Sequence, residues 1–245
     1  MRTLIALTFL LVFVAPASAE FQSQEEVSKW MAFYYQHPEP AKVPEAIEFL
    51  SHAGILDKDG ANPPTFGFLA GVFRENPKLI SGWVERLGKM KESHLSVVVL
   101  GLWYANLPES QKLACELVDK HPQLNDRHGW VHKATPMPVE KIPLERGPWV
   151  LDVLWGNFMA TGQKTPVVRI MAALPWMDIN GDTKRLLVGG AARWSLLSNA
   201  AQHPRVLAFC EAEAATQPEE IAAKLREIIA DVKKRLENEQ FPHAK

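Results

Sequence analysis

Residues 216–236 read T-Q-P-E-E-I-A-A-K-L-R-E-I-I-A-D-V-K-K-R-L. Ile221, Leu225, Ile228, Ile229, Val232 and Leu236 recur at spacings of three and four, the period of one helix face. Thr216 with Glu219 fits the S/T-x-x-E capping pattern. Lys224, Arg226, Lys233 and Arg235 alternate with Glu220, Glu227 and Glu237 on the remaining surface, as on a solvated helix face laced with local ion pairs.

Read outward from this segment, the same period covers nearly every apolar stretch of the chain. Val27, Trp30, Met31 and Tyr34 form a stripe, with Ser23 and Glu26 as a capping box. Ala46, Ile47 and Leu50 follow Pro44 and stop at Gly54, the order expected of a helix with Pro in its first turn and Gly past its end. Phe66, Leu69 and Phe73 come next, then Leu79, Trp83 and Leu87. Leu95, Val98, Val99, Leu102 and Trp103 continue the 3–4 spacing through a Val run that could otherwise pass for a strand. Leu113, Leu117 and Val118 make a sixth stripe. In the second half, Leu151, Leu154, Trp155 and Phe158 share a face, as do Val167, Ile170, Met171 and Leu174. Leu187, Ala191 and Trp194 form another, and Val206 with Cys210 a short one. Asn76-Pro77, Leu107-Pro108, Thr165-Pro166 and His203-Pro204 place proline at helix starts, where its missing N–H leaves nothing unpaired.

The expected fold is therefore all-α: about ten to eleven short helices joined by short connections into antiparallel hairpins. From His121 to Trp149 the periodicity lapses and five prolines intervene, which predicts a long connection with extended pieces around Thr135 to Ile142. The expected organisation is residues 1–19, an N-terminal helical half over 20–120, the Pro-rich connection over 121–149 and a C-terminal helical half over 150–245. F-G-F-L-A-G-V-F at 66–73 parallels L-D-V-L-W-G-N-F at 151–158, and each half carries one cysteine on a short helix that follows an Asn. A duplication forming a solenoid-like array of two related halves accommodates this, as does convergent amphipathic patterning.

Residues 1–19 have one charge, Arg2, an apolar run from Leu4 to Val14, and Ala17-Ser18-Ala19. This is the layout of a cleaved secretory signal peptide, and it predicts an exported protein, periplasmic or secreted. The run is too short for a bilayer-spanning helix of ~20 residues, and no later segment approaches that length of apolar chain. The absence of any Asn-x-Ser/Thr sequon leans towards a bacterial source. With 27 Lys plus Arg against 28 Asp plus Glu and a net charge of −1, the chain lacks the basic balance that nucleic-acid binding calls for. Cys115 and Cys210, the two cysteines, can pair in an oxidising compartment, or remain buried thiols acting as small apolar residues.

Catalytic signatures are missing. No G-x-S-x-G, H-E-x-x-H, C-x-x-C or Gly-rich phosphate loop occurs. Asp119, His121, Asp126, His128 and His132 are close in sequence, but two histidines four apart across Gly129 do not make a metal site without a third ligand. The acidic stretches at Asp57–Gly60 and Asp178–Asp182 read as turns rather than complete calcium loops. Ser195 and His203 lie too far apart on a helix to act as nucleophile and base. Neither metal nor cofactor is expected. Of the eight tryptophans, Trp30, Trp83, Trp103, Trp155 and Trp194 sit on apolar stripes and are expected in the core. Trp130, Trp149 and Trp176 sit off them, beside the connection, where they could form an exposed aromatic contact surface or pin a loop to the core. The function expected is a non-enzymatic binding or scaffold module for a peptide or protein partner contacted at this junction. An exported enzyme, or a carrier of a small ligand or metal, is the alternative.

Overall fold

The computed structural model describes residues 21–240, so the expected signal peptide at 1–19 lies outside the described residues. Twelve α-helices and no β-strand occur among the described residues: α1 Gln24–Phe33, α2 Val43–His52, α3 Asn62–Glu75, α4 Ile80–Leu87, α5 Leu95–Ala105, α6 Pro108–Lys120, α7 Pro122–His128, α8 Trp149–Thr161, α9 Lys164–Met171, α10 Thr183–Gln202, α11 Pro204–Glu213 and α12 Glu219–Gln240. The fold is all-α, as the periodicity predicts. The helix in excess of eleven is α7, inside the segment expected to be irregular. Its one fully apolar position, buried Leu124, is too little to mark a stripe, but Pro122 at the first turn lets it start. The rest of the connection is short 3₁₀ turns at Gly129–His132, Val139–Lys141 and Leu144–Arg146, and no strand forms between Thr135 and Ile142.

Local chemistry sets the helix ends. Ser23 Oγ accepts from Glu26 N at 3.1 Å, and Asp182 accepts from Arg185 N at 3.0 Å at the start of α10. Ser110 Oγ accepts from Leu107 N at 3.1 Å ahead of α6. Asn106 takes the left-handed conformation, φ 57°, at the end of α5, a role open to Asn because its short polar side chain tolerates it. The cap expected at Thr216 is displaced. α12 begins at Glu219, and the carbonyl of Pro218 receives Ile221 N and Ala222 N.

The centre of the molecule is the contact of α3 with α8, with α5 on the other side of α3. It is a contact of backbones. A Cβ at Gly67 would stand 2.1 Å from the carbonyl oxygen of Val153, and one at Gly156 would stand 2.1 Å from that of Pro64. Gly71 faces Ala160 in the same way, at 2.5 Å. Small residues four apart on both helices let the axes approach until main-chain atoms touch, and Phe68, Phe73 and Phe158 fill the space on either side, fully buried. Asn157, also fully buried, sits beside Arg74 and the α3 backbone, and with its amide turned so that both ends find partners its oxygen accepts from Arg74 Nη2 at 3.1 Å and Gly71 N at 3.2 Å. Arg74 in turn holds Glu140 of the connection at 3.3 Å, which ties the 121–149 segment to the α3–α8 pair.

Hairpin neighbours pack as expected, α5 on α6, α6 on α7, α8 on α9, α10 on α11 and α11 on α12. The dominant α3–α8 contact joins distant parts of the chain, however, so packing is not confined to neighbours as in a solenoid. The pairs α5–α6 and α6–α7 have counterparts in α10–α11 and α11–α12, but the halves differ where they meet the centre: α3 packs on α5, whereas α8 packs on α9 and α10 lies against α12, α11 and the 3₁₀ turn Leu174–Asp178. No helix among the described residues is long and apolar enough to cross a membrane.

Candidate functional site

Between α3, α5 and the connection lies an aromatic pocket of about 380 Å³. α3 contributes Phe66, α5 contributes Leu100, Trp103 and Tyr104, the connection contributes Trp130 and Met137, and the first residue of α8 is Trp149. The rings hold one another. Trp103 meets Trp130 edge to face at 5.0 Å, Phe66 stacks on Tyr104 at 5.7 Å, and Phe66 lies 6.5 Å from Trp149. Both outer indoles spend their N–H locally, Trp130 on Arg127 O at 2.9 Å and Trp149 on Arg146 O at 3.2 Å. Each is a three-residue backward bond, which fixes the ring and turns carbon towards the pocket.

Arg146 is the single charged side chain in the lining. Its guanidinium lies 5.7 Å from the Trp149 ring centre, and no carboxylate of the described residues pairs with it. Burial pushes the Tyr104 phenol up while Arg146 pulls it the other way, so the hydroxyl is neutral at ordinary pH and can donate or accept. The site is thus an apolar, largely rigid cavity with one cation at its edge. Such a surface suits an apolar or aromatic group that carries, or lies beside, a negative charge.

Trp130 is 38% exposed and Trp149 half-buried, and the two share this pocket. Trp176 does not join them. It packs half-buried in the turn beneath α10, with Arg185 5.1 Å above its ring. Phe66 and Trp103 stand on helical stripes and so read as core, and Tyr104 follows Trp103 on α5 with no mark of its own in the sequence. Each is largely buried, yet each turns part of its ring to the cavity, and a stripe pattern carries no sign of that.

The other sequence candidates separate. Cys115 and Cys210 are free thiols, so the bridge their even number allows is not made here. Cys115 donates to Val131 O at 3.8 Å, on the connection side of α6, while Cys210 is buried on α11 among the C-terminal helices, its thiol pushed up to about 12 by burial. His128 is buried, with Nε2 2.8 Å from Ser96 Oγ. His132 faces Asp119 at 3.3 Å and His121 faces Glu92 at 3.8 Å. These groups disperse onto separate partners, and no three His, Cys, Asp or Glu converge among the described residues. Ser195 bonds Ala192 O at 3.1 Å, and His203 lies 3.3 Å from Tyr35 Oη.

One arrangement the motif search did not anticipate is Ser51, His94 and Asp57. Ser51 Oγ lies 2.8 Å from His94 Nδ1, and His94 Nε2 lies 2.9 Å from Asp57 Oδ1. The order matches a nucleophile relay, but its direction is wrong for one. Ser51 and His94 are 5% and 2% exposed, and the solvent-facing end is Asp57. A hydroxyl sealed in the core meets no substrate, so the row is a brace between α2 and the start of α5. Lys91 and then His94 hold the Asp57 carboxyl below its usual range.

In comparison with known proteins, no family model, no curated protein and no solved structure matches this chain.

Proposed function

We propose that the protein is an exported binding module whose aromatic pocket receives an apolar or aromatic side chain of a peptide or protein partner, with Arg146 taking a nearby carboxylate. The observation that carries this reading is the convergence of Trp103, Trp130, Trp149, Phe66 and Tyr104 on one cavity, with the N–H groups of the two outer indoles, Trp130 and Trp149, already bonded. Aromatic anchors held in place around a cavity supply contact area at low entropic cost, the property that concentrates binding energy in a few residues. The near-zero net charge supports a protein or peptide over a nucleic acid. A small-ligand carrier is the second reading, because about 380 Å³ falls in the range of small-molecule sites. Export is the setting proposed for either, from the Arg2, Leu4–Val14, Ala17-Ser18-Ala19 pattern. N-terminal sequencing of protein from outside the native cytoplasm should read Glu20 first, and finding Met1 would overturn it.

The pocket is tested with anilinonaphthalene sulfonate, whose fused rings and single anion match its chemistry. One dye should bind per chain. Trp130→Ala and Arg146→Gln should each weaken it at least tenfold without changing helix content. Peptides selected from a displayed library against the protein should be rich in aromatic or branched residues and should compete with the dye. Selected peptides that bind without displacing it, and whose affinity survives Trp130→Ala, would remove the peptide reading.

A further inference from the structure

Thr135-Pro136-Met137-Pro138 runs outside any helix, between the turn that ends at Ala134 and the 3₁₀ turn at Val139–Lys141. A proline excludes the helical region for the residue before it, so Thr135 and Met137 are both held extended. Pro138 is extended too, with φ −69° and ψ 157°. On either side of this piece the main chain is bonded. Lys133 N and Ala134 N donate to Trp130 O at 3.0 Å, and Lys141 N donates to Pro138 O at 3.0 Å. Between them, the N–H and C=O groups of Thr135 and Met137 have no partner among the described residues. Thr135 is exposed and Met137 half-buried. The sequence predicts an extended piece at this place, and the one that forms lacks only a neighbour to pair with.

In an extended chain the side chains alternate between two faces, and the main-chain groups alternate between two edges. Thr135 and Met137 line the aromatic pocket, as does Ala134 at the end of the preceding turn, whereas Pro136 and Pro138 do not. That is the alternation of a strand with the pocket on one face. The N–H and C=O groups of Thr135 and Met137 then share an edge, two donors and two acceptors, with the residues ~7 Å apart at ~3.3 Å per residue. The opposite edge belongs to Pro136 and Pro138, which have no N–H, so no ladder can form along it. The segment is a short strand edge that is open on one side only.

We propose that the partner of the aromatic pocket is an extended peptide, which pairs main chain to main chain with Thr135 and Met137 and sets one of its alternate side chains into the pocket. This rests on the peptide reading of the pocket and names the conformation of its occupant. Strand addition divides the work: main-chain bonds give affinity, and the pocket chooses the side chain. The indole N–H groups of Trp130 and Trp149 are spent on Arg127 O and Arg146 O, so a peptide carbonyl finds its donors in the Thr135 and Met137 amides instead. A helical peptide satisfies its own main chain and leaves this edge unused. The register also fixes where the charge belongs. An acidic residue two places from the anchor stands on the anchor's own face of the strand, the face on which Arg146 lines the pocket. The expected pattern is an aromatic or branched residue, any residue, then Asp or Glu, in either chain direction.

The probe is the tightest peptide from the displayed library, synthesised unmodified and with a single N-methyl group at each position in turn. N-methylation removes one N–H and keeps the side chain. Alternate positions beside the anchor should lose about tenfold in affinity, and the intervening ones little. Hydrogen exchange read by NMR should show the Thr135 and Met137 amides fast in the free protein and slowed about tenfold or more at saturating peptide. Thr135→Pro removes one donor of the edge and should weaken the peptide about fivefold. It should leave anilinonaphthalene sulfonate binding unchanged, because the dye needs only the rings and Arg146. The N-methyl series and the exchange rates are read on the unsubstituted protein, so they decide the matter even where Thr135→Pro disturbs the turn before it. A peptide that competes with the dye yet tolerates N-methylation at every position, or leaves both amides as fast as in the free protein, would overturn strand pairing while the pocket keeps its peptide. Losses at consecutive positions, with the amides unprotected, would make a helix the bound form instead. A dye that does not bind, or selected peptides indifferent to Trp130→Ala, would overturn the pocket reading and strand pairing with it.

Discussion

Two helix faces in this protein look alike as sequence and have opposite fates. F-G-F-L-A-G-V-F on α3 and L-L-V-G-G-A-A-R-W on α10 both combine small residues at helical spacing with flanking aromatic and aliphatic groups. The first forms the tightest contact of the molecule, with Gly67 and Gly71 against the backbone and side chains of α8. The second leaves Leu187 and Trp194 in solvent. The difference lies in the partner. In the N-terminal half, α3 is clamped between α8 and α5, while α10 has neighbours on one side only. Periodicity reports that a helix has an apolar face, and tertiary packing decides which of two such faces is covered.

The largest expected effect comes from adding one methyl group to the closed face. Gly67→Ala puts a Cβ 2.1 Å from Val153 O and 2.9 Å from its Cα. Those are main-chain atoms of a buried helix and cannot swing aside, so α3 and α8 must separate. Overpacking of this kind costs about 3 kcal/mol, enough to lower Tm by roughly 6–12 °C in a domain of this size. A thermal scan that showed Gly67→Ala within a degree of the unsubstituted protein would mean that α3 and α8 do not meet as described.

Next in size is the response of the closed centre to acid. His203 is 1% exposed, ringed by Phe33, Tyr35 and Phe158, and His128 is 7% exposed. Burial lowers the pKa of both, with Arg127 adding to the effect at His128. The folded state therefore holds these rings neutral, while the unfolded chain protonates them near the ordinary value of 6.5. Stability is complete above that value and declines as pH falls below it towards the lowered folded values. Tm should drop between pH 7 and pH 5, and a His203→Gln, His128→Gln variant should show a flatter profile over that interval. An unchanged slope in the double variant would assign the acid sensitivity elsewhere.

The same contrast explains which parts of the structure were legible in the sequence. Helix starts at Pro44, Pro77, Pro108, Pro166 and Pro204, and the cap at Ser23, follow from local chemistry that needs no partner, and they appear at or within a few residues of the expected places. α7 has too few apolar residues to announce itself. Of the site, Trp130 and Trp149 were legible because they stand off any stripe in an irregular segment. Trp176 shares that trait and is elsewhere, since irregular sequence marks a loop but not which loop it meets. Phe66 and Trp103 were hidden by lying on stripes, and Tyr104 carried no signal of its own. Trp194 was misplaced because α10 carries two apolar faces, and periodicity does not say which of them is covered. Small Val188, Ala192 and Ala200 are what the narrow space against the Leu174–Asp178 turn and α12 accommodates.

The smallest effect is the mirror image of the first. Gly190 lies in the interior of α10 with helical φ, and a Cβ there meets nothing within 4 Å. Gly190→Ala therefore adds no contact within the chain and removes none. What it changes is the unfolded chain, which loses the conformational freedom of glycine, and the helix, which gains a better former. The expected gain is about 0.5–1 kcal/mol, a rise in Tm of roughly 1–4 °C. The sign carries the information. An identical substitution, glycine to alanine in a helix interior, should destabilise at 67 and stabilise at 190. If Gly190→Ala lowers Tm instead, something already occupies the outward face of α10 in the isolated chain, and the face described here as bare is covered.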